Sequence, residues 1–540
     1  MINNLKKILI YFIKQHMSLS DKLKKYRKEK SDEKNIQPYR IFSNATLDDI
    51  CTIPPQSIEE LILIKGIGKK KIQDYGEDIL NMCKGECGSE KISDKINVKI
   101  CEPNILPDDL ELSEDQEKAL EVYDKCENLF ITGPGGVGKS YLIYLLVERY
   151  KNKKNIQVCG MTGVASELLN CDAKTIHSWS GAGLVYGDQN KILKNIMYNK
   201  TSIKNWKSVD ILIVDEVSMM SKKFFEILDK VGRYIRRVNK PFGGIQLVFS
   251  GDFYQLPPVS DRNDKESGMF CFESEIWNKT FKNVVVLNKI FRQKDKTFMK
   301  ILKQIRKGGI TKKTFDILNG RILNKNNNLD HKKYNPVIMS PIRSIVDSIN
   351  ESNMNKLKSS YKEYEFEVVY PDTINKNQQN VKNGVRDLEK RLNAPKLLKL
   401  KIGAHVMCVA NIDMDSSKKI INGSQGIIEE FQNGFPVVSF RNGIRRIITQ
   451  HQWMSEDIPG LYISQIPLIL SWAITIHKSQ GITLESAIID AGDNIFECGQ
   501  IYVAFSRVKT LDGLFLANFN HKKIKTNKKV IDYYENLLSL

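Results

Sequence analysis

The residues best suited to chemistry stand at 133–140, where Gly133, Pro134, Gly135, Gly136, Val137, Gly138, Lys139 and Ser140 satisfy the spacing G-x-x-x-x-G-K-[ST] in full. In that pattern the glycines let successive backbone N–H groups wrap a chain of phosphates. The lysine neutralises the β and γ oxygens, and the hydroxyl offers a ligand to Mg2+. An acidic pair, Asp215-Glu216, closes the apolar run Ile211 to Val214. A carboxylate at Asp215 can hold Mg2+, directly or through water, while Glu216 can orient and deprotonate an attacking water. A cradle with a base beside it specifies triphosphate hydrolysis rather than binding alone, so ATP and Mg2+ are the expected substrate and cofactor.

Three further side chains extend this set. Gln255 lies in Gly251-Asp-Phe-Tyr-Gln255-Leu-Pro-Pro258, within reach of a γ-phosphate. Arg292 in Ile290-Phe-Arg292-Gln and Arg507 in Ala504-Phe-Ser-Arg507 are far apart in sequence, as a cleft between two domains requires. A fixed guanidinium from each side can stabilise charge on a transferring phosphoryl group. A lone arginine is more often a surface ion pair, and these two owe their weight to the motifs around them. Trp179, Phe253 and Tyr254 either stack nucleic-acid bases or pack beneath the loops.

Positioning such residues calls for an α/β framework. Leu129–Thr132, Ile156–Thr162, Ile211–Glu216 and Ile245–Asp252 read as strands alternating with helical patterns, and each ends where a polar residue begins. Open parallel sheets place their ligands there, at the carboxyl ends of strands. Val337–Pro341 and Ala487–Ala491 read as strands of a second α/β unit. Between them, short strands punctuated by Asn-Gly and Gly suggest a small inserted β-barrel at about 395–462. The expected organisation is a basic tail (1–35), a helical module (36–84), a linker (85–107), a first α/β domain (108–292, with a small insertion at about 181–206) and a second (293–540).

The helical module shows Leu47, Ile50 and Cys51 at helical spacing, Ser57 as a cap with Glu60 three positions on, and a last helix near Tyr75 to Cys83. Gly66-Ile67-Gly68 with Lys69 to Lys71 either presents backbone N–H groups to a phosphate or closes a helix–helix turn. The run Lys22 to Lys34, dense in charge, reads as a solvated arm.

The totals set the outer limits. At 540 residues the chain exceeds one core. Its 82 Lys+Arg against 63 Asp+Glu leave +19, which favours a polyanionic partner, although abundant Lys, Asn and Ile also fit a compositional bias. Ten scattered cysteines fit a reducing compartment, and Cys83, Cys87 and Cys101 lack the fourth ligand and spacing of a structural zinc site. No stretch approaches the ~20 apolar residues of a membrane span. The apolar run Ile8 to Ile13 is too short for a secretion signal. An organelle transit segment remains an alternative to a floppy basic tail, because no acid precedes Asp21. The expected location is intracellular, in nucleus or cytoplasm.

Taken in order, LSEDQ, GPGGVGKS, GMTGVASELL, KTIHSWSG, VDEVSMM, FSGDFYQLPPV, FRQ, HKSQGITL and YVAFSRVKT resemble the superfamily 1 helicases, most closely the Pif family and its relative RecD. The resemblance covers residues 108–540. It implies two tandem RecA-like domains, ATP-driven 5′-to-3′ movement on single-stranded DNA, and work on forked DNA in replication, recombination or repair by a chain that is monomeric in solution. It also implies that Gln116 reads adenine, that Gln255 couples the γ-phosphate to DNA, that Arg292 and Arg507 are arginine fingers, and that Thr162, His177, Thr475 and His477 lie along single-stranded DNA. Residues 36–84 resemble the HRDC domain, an auxiliary helical module that binds nucleic acid. An RNA-directed motor and a non-translocating ATPase switch are the rival readings.

Overall fold

The computed structural model describes residue 104 and residues 18–84, 112–182, 192–193, 196–323 and 336–538. The exceptions within those spans are residues 53, 63, 65, 163–164, 167–168, 170, 172, 198, 261–263, 265, 372–375, 393, 411, 413–419, 421–422, 456–457 and 459. The possible transit segment, the linker other than Asn104, and Cys87 and Cys101 lie outside the described residues. Among the described residues no helix is long and apolar enough to cross a membrane.

The amino-terminal helices build a core of their own. Helix α1 (Leu19–Glu33) is capped by Ser18, α2 spans Asn44–Thr52, and α3 spans Lys69–Lys84. Leu19 and Leu23 of α1 are buried with Ile41, Phe42, Ile50, Leu61, Ile79 and Cys83. This corrects the solvated arm expected at Lys22 to Lys34. Leu19, Leu23 and Tyr26 recur one helical turn apart and give that charged segment an apolar stripe. The last helix also starts earlier than expected, at Lys69. The Ser57 cap is present, with Glu60 N–H donating to its hydroxyl.

The first α/β sheet is six-stranded and wholly parallel. Strands β1 (Leu129–Thr132), β2 (Ile156–Gly160), β3 (Lys174–Thr175), β4 (Ile211–Asp215), β5 (Gln246–Gly251) and β6 (Asn283–Val286) lie in the order β3-β2-β4-β5-β1-β6. The four expected strands are there, while β3 and β6 are additions. Helices α4 (Glu114–Asp124) and α5 (Lys139–Tyr150) pack on it through Tyr123, Leu142, Ile143 and Leu146. Because β1, β4 and β5 are adjacent, their carboxyl ends gather the phosphate loop, Asp215 and Asp252 at one edge of the sheet.

A second parallel sheet holds β7 (Val337–Ser340), β8 (Ala473–Thr475), β9 (Ala487–Ala491) and β10 (Leu514–Phe519), in the order β8-β7-β9-β10. Helix α6 (Lys296–Arg306) precedes it. Helix α7 (Arg343–Lys356) follows β7, α8 (Gln500–Ser506) follows β9, and α9 (Lys528–Leu538) follows β10. Among the described residues, the chain between β7 and β8 forms three small antiparallel sheets. The largest, of five strands, runs through His405–Cys408, Gln425–Gln432, Phe435–Phe440, Arg445–Ile447 and Leu468–Leu470. The β-rich insertion begins earlier than expected, because Lys362–Glu365 pairs with Leu397–Leu400.

Candidate active site

The phosphate loop runs from β1 into α5. Gly133, Gly136 and Gly138 all have positive φ, and a Cβ at Gly133 would meet the Leu287 carbonyl oxygen at 2.4 Å. Only glycine accepts both the backbone angle and that approach. The segment Phe291-Arg292-Gln293 lies directly against the loop. The amides of Phe291 and Arg292 both donate to the Gly136 carbonyl, at 2.8 and 3.2 Å. Lys139 is buried, and its ammonium donates to the carbonyls of Gly133 and Pro134. Burial presses its pKa down, while Asp252, Glu216 and Asp215 oppose that.

Ser140 and Asp215 meet, the hydroxyl donating to Oδ2 at 3.4 Å. Asp215 is 4% exposed, and burial with the neighbouring Glu216 charge pushes its carboxyl up to about 6. A hydroxyl beside a carboxylate that needs a positive partner suits Mg2+, so the donor set fits the expected cofactor. Glu216, half-buried, occupies the left-handed region at φ 57. Non-glycine residues rarely do so without a reason in the site.

Across the cleft, the second sheet's helix α8 delivers Arg507, which is 2% exposed. Its guanidinium donates to the Gln255 side-chain oxygen at 3.5 Å and to the Ser506 hydroxyl at 2.8 Å. Arg292 Nη1 donates to the Ser506 carbonyl. A Cβ on Gly135 would lie 3.5 Å from Arg507 Nη2. The structure therefore brings Lys139, Ser140, Asp215, Glu216, Gln255, Arg292 and Arg507 to one place. Gln116 lies close by. Its side-chain oxygen is taken by the Ser113 amide in a capping box, while its nitrogen faces Gly138. The exposed Phe291 ring stands beside the same glycine.

The four expected DNA contacts do not join that cluster. Thr162 follows β2, with its hydroxyl accepting from the Ala165 amide. His177, in the short helix after β3, stacks on Phe224 at 4.4 Å. Thr475 ends β8 and accepts from the Lys478 amide, and the exposed His477 follows it. All four stand at or just beyond the carboxyl ends of strands. Thr475 and Lys478 also line a cavity of about 640 Å³, together with Arg343, Asn350 and Leu398.

Of the two readings left open for the aromatic residues, packing beneath the loops is the one the geometry supports. Trp179, Phe253 and Tyr254 are all less than a tenth exposed. Trp179 packs on Trp206, Phe253 lies among Phe130, Phe272 and Trp277, and Tyr254 stacks on Tyr534. Sequence reading also missed several members of the site. Tyr502 accepts from the Gly135 amide at 2.9 Å and donates to Asp252, which pairs with Arg306 at 2.8 Å. Gln293 donates to the carbonyls of Ser506 and Val508. Gln480 donates to the Glu216 carboxylate at 3.0 Å. Tyr502, Asp252, Gln293 and Gln480 lie inside recognised motifs and carried that signal, whereas Arg306 and Tyr534 had none.

A phosphate loop and acid pair on one parallel sheet, overlaid by an arginine from a second, define a P-loop nucleoside triphosphatase with its site between two α/β domains. Residues 111–316 match the PIF1-like helicase family, residues 16–83 the HRDC domain, and residues 387–431 the 2B domain of DNA helicase Pif1. The ATP-dependent DNA helicase PIF1 of Danio rerio is 33% identical over 451 residues, which are 82% of this chain and 67% of that protein. The crystal structure of Pif1 helicase from Candida albicans superposes with a TM-score of 0.66 at 33% identity, over 79% of this chain and all of that one. A Bacteroides Pif1 in complex with ADP-AlF3 and single-stranded DNA gives 0.57 at 27% identity, over 80% of this chain and 98% of that one. The chain spans about two thirds of the length of the curated relatives it matches. It belongs to the PIF1-like helicase family, and it carries an HRDC domain at its amino-terminal end.

Proposed function

We propose that the chain is an ATP-dependent DNA helicase that moves 5′ to 3′ along single-stranded DNA and opens the duplex ahead of it. The observation that carries this reading is the convergence of Lys139, Glu216 and Gln255 from one domain with Arg507 from the other. In the reaction, a water oxygen attacks the γ-phosphorus of ATP and passes a proton to Glu216, and the bond to the β–γ bridging oxygen breaks to leave ADP. Lys139 exchanges its loop carbonyls for phosphate oxygens, while Arg292 and Arg507 meet the charge that develops on the transferring group. Ser140 and Asp215 would hold Mg2+, which would supply positive charge to the triphosphate. The free amide nitrogen of Gln116 and the face of Phe291 hold adenine. Because Arg507 belongs to the second domain, hydrolysis and release alter how the domains close, which turns chemistry into movement on the strand.

Thr162, His177, Thr475 and His477 give neutral hydrogen bonds to phosphate and sugar, a grip that does not read sequence. Polarity is tested by ATP-dependent unwinding of matched partial duplexes with either a 5′ or a 3′ single-stranded tail. Preference for the 5′ tail is the expected result, and unwinding only from the 3′ tail would overturn the direction. Comparing the turnover stimulated by DNA and by RNA of equal length decides the strand. Greater stimulation by DNA is expected.

A further inference from the structure

Gln480 is buried at the end of a tight turn that begins with two of the proposed DNA contacts. Thr475 accepts from the Lys478 amide, Ser479 N–H and Oγ–H both donate to the Ile476 carbonyl, and the Gln480 amide donates to the His477 carbonyl. Residues 475–480 are thereby cross-tied, and a shift at Thr475 or His477 moves Gln480 with it. At the far end of the turn, Gln480 Nε2 reaches the other domain and donates to Glu216 Oε2 at 3.0 Å. Glu216 is the proposed base, and its backbone is held in the left-handed region that non-glycine residues rarely adopt. One hydrogen bond thus links the loop that faces nucleic acid to the carboxylate that must accept a proton.

We infer that Gln480 is a DNA-responsive brake: its amide restrains Glu216 until single-stranded DNA at Thr475 and His477 draws the turn away. The bond fixes one oxygen of a base that has to turn towards water. Losing it frees Glu216, and binding of DNA becomes a condition for hydrolysis. Gln480 is therefore a positioning residue acting through Glu216. The inference rests on the motor reading above and adds the route by which DNA controls turnover.

The test is steady-state ATP turnover of the full chain, with and without a saturating thymidine oligonucleotide, for wild type, Gln480→Ala and Gln480→Met. Methionine keeps the volume of the buried side chain and removes only its hydrogen-bonding atoms. Turnover without DNA should rise about tenfold in both variants, the size expected for loss of one charge-assisted hydrogen bond. Turnover with DNA and KM for ATP should stay near the wild-type values, so the stimulation ratio collapses. A merely structural role would lower both rates together and leave the ratio intact, and that result would overturn the inference. An unchanged rate without DNA would overturn it equally. Wild-type turnover indifferent to DNA would instead sink the motor reading itself, which separates the two failures.

Discussion

Each catalytic candidate makes a different demand on the same few ångströms. Asp215 is costly to bury. Burial and the neighbouring Glu216 charge push its carboxyl up from an ordinary 3.8 to about 6, so the charged form is disfavoured at neutral pH. The folded form binds the extra proton, so this penalty is full above about pH 6 and disappears as pH falls towards 3.8. Asp215→Asn should accordingly melt at a higher temperature than wild type at pH 7.5, with the gap closing near pH 4, while losing turnover. Equal melting at pH 7.5 would show that the carboxylate is not strained there. Lys139→Ala should abolish hydrolysis, and Glu216→Gln should keep nucleotide binding, read by a fluorescent ATP analogue, while nearly stopping turnover. Arg507→Ala should slow turnover on the order of 10³-fold at little cost in binding, as an arginine finger requires. Near-normal turnover would remove that role.

Between elements, the binding forces are polar as well as apolar. Tyr502 of α8 ties the phosphate loop to Asp252, Asp252 pairs with Arg306 of α6, and Tyr534 of α9 bonds Thr132 and the Phe253 amide. The Arg306 guanidinium also lies over the rings of Tyr254 and Tyr534. Because Asp252 is fully buried, Arg306→Ala should cost about 3–5 kcal/mol in denaturant unfolding, most of it from the charge left unpaired. Asp252→Asn in that background should recover part of the loss, and simple additivity would refute the coupling. The same elements show what sequence can and cannot reveal. Strands that end in functional residues were legible, because apolar runs of β-branched residues stop abruptly at Thr132, Asp215 and Gly251. The two-residue β3 was not, since Lys174-Thr175 carries no pattern. Nor was α1, whose three apolar positions are outnumbered by charges. The site was legible wherever a motif fixes local geometry. It was illegible where a contact joins distant helices, as with Arg306 and Tyr534. Aromatic residues near a motif stayed open between two roles, because a ring carries no mark that tells packing from stacking.

At the scale of the whole molecule, a chain with a net charge of +19 presents two candidate sources of nucleic-acid affinity, the motor and the HRDC domain. A backbone-tracking groove releases counterions, so binding to single-stranded DNA should weaken steeply as salt rises, with a slope that counts the phosphates neutralised. The HRDC domain has its own core, built from Leu19, Leu23, Phe42, Ile50 and Ile79, and deletion of residues 1–84 removes it. Within it, Gly66 combines φ 88 with an approach to Thr46 that leaves no room for a Cβ, 2.5 Å from the hydroxyl oxygen, whereas Gly68 has nothing within 4 Å. Gly66 therefore serves the helix–helix turn, and Gly68 is the open position beside Lys70 and Lys71, the better placed of the two to meet a phosphate. If the domain selects structure rather than driving movement, the deletion should leave turnover stimulated by single-stranded DNA unchanged and lower affinity for forked substrates relative to simple tails. Gly66→Ala should unfold the domain and reproduce the deletion, while Lys70→Glu with Lys71→Glu should reproduce its binding defect without unfolding. Unchanged affinity across all substrates after the deletion would leave the motor as the sole source of substrate choice.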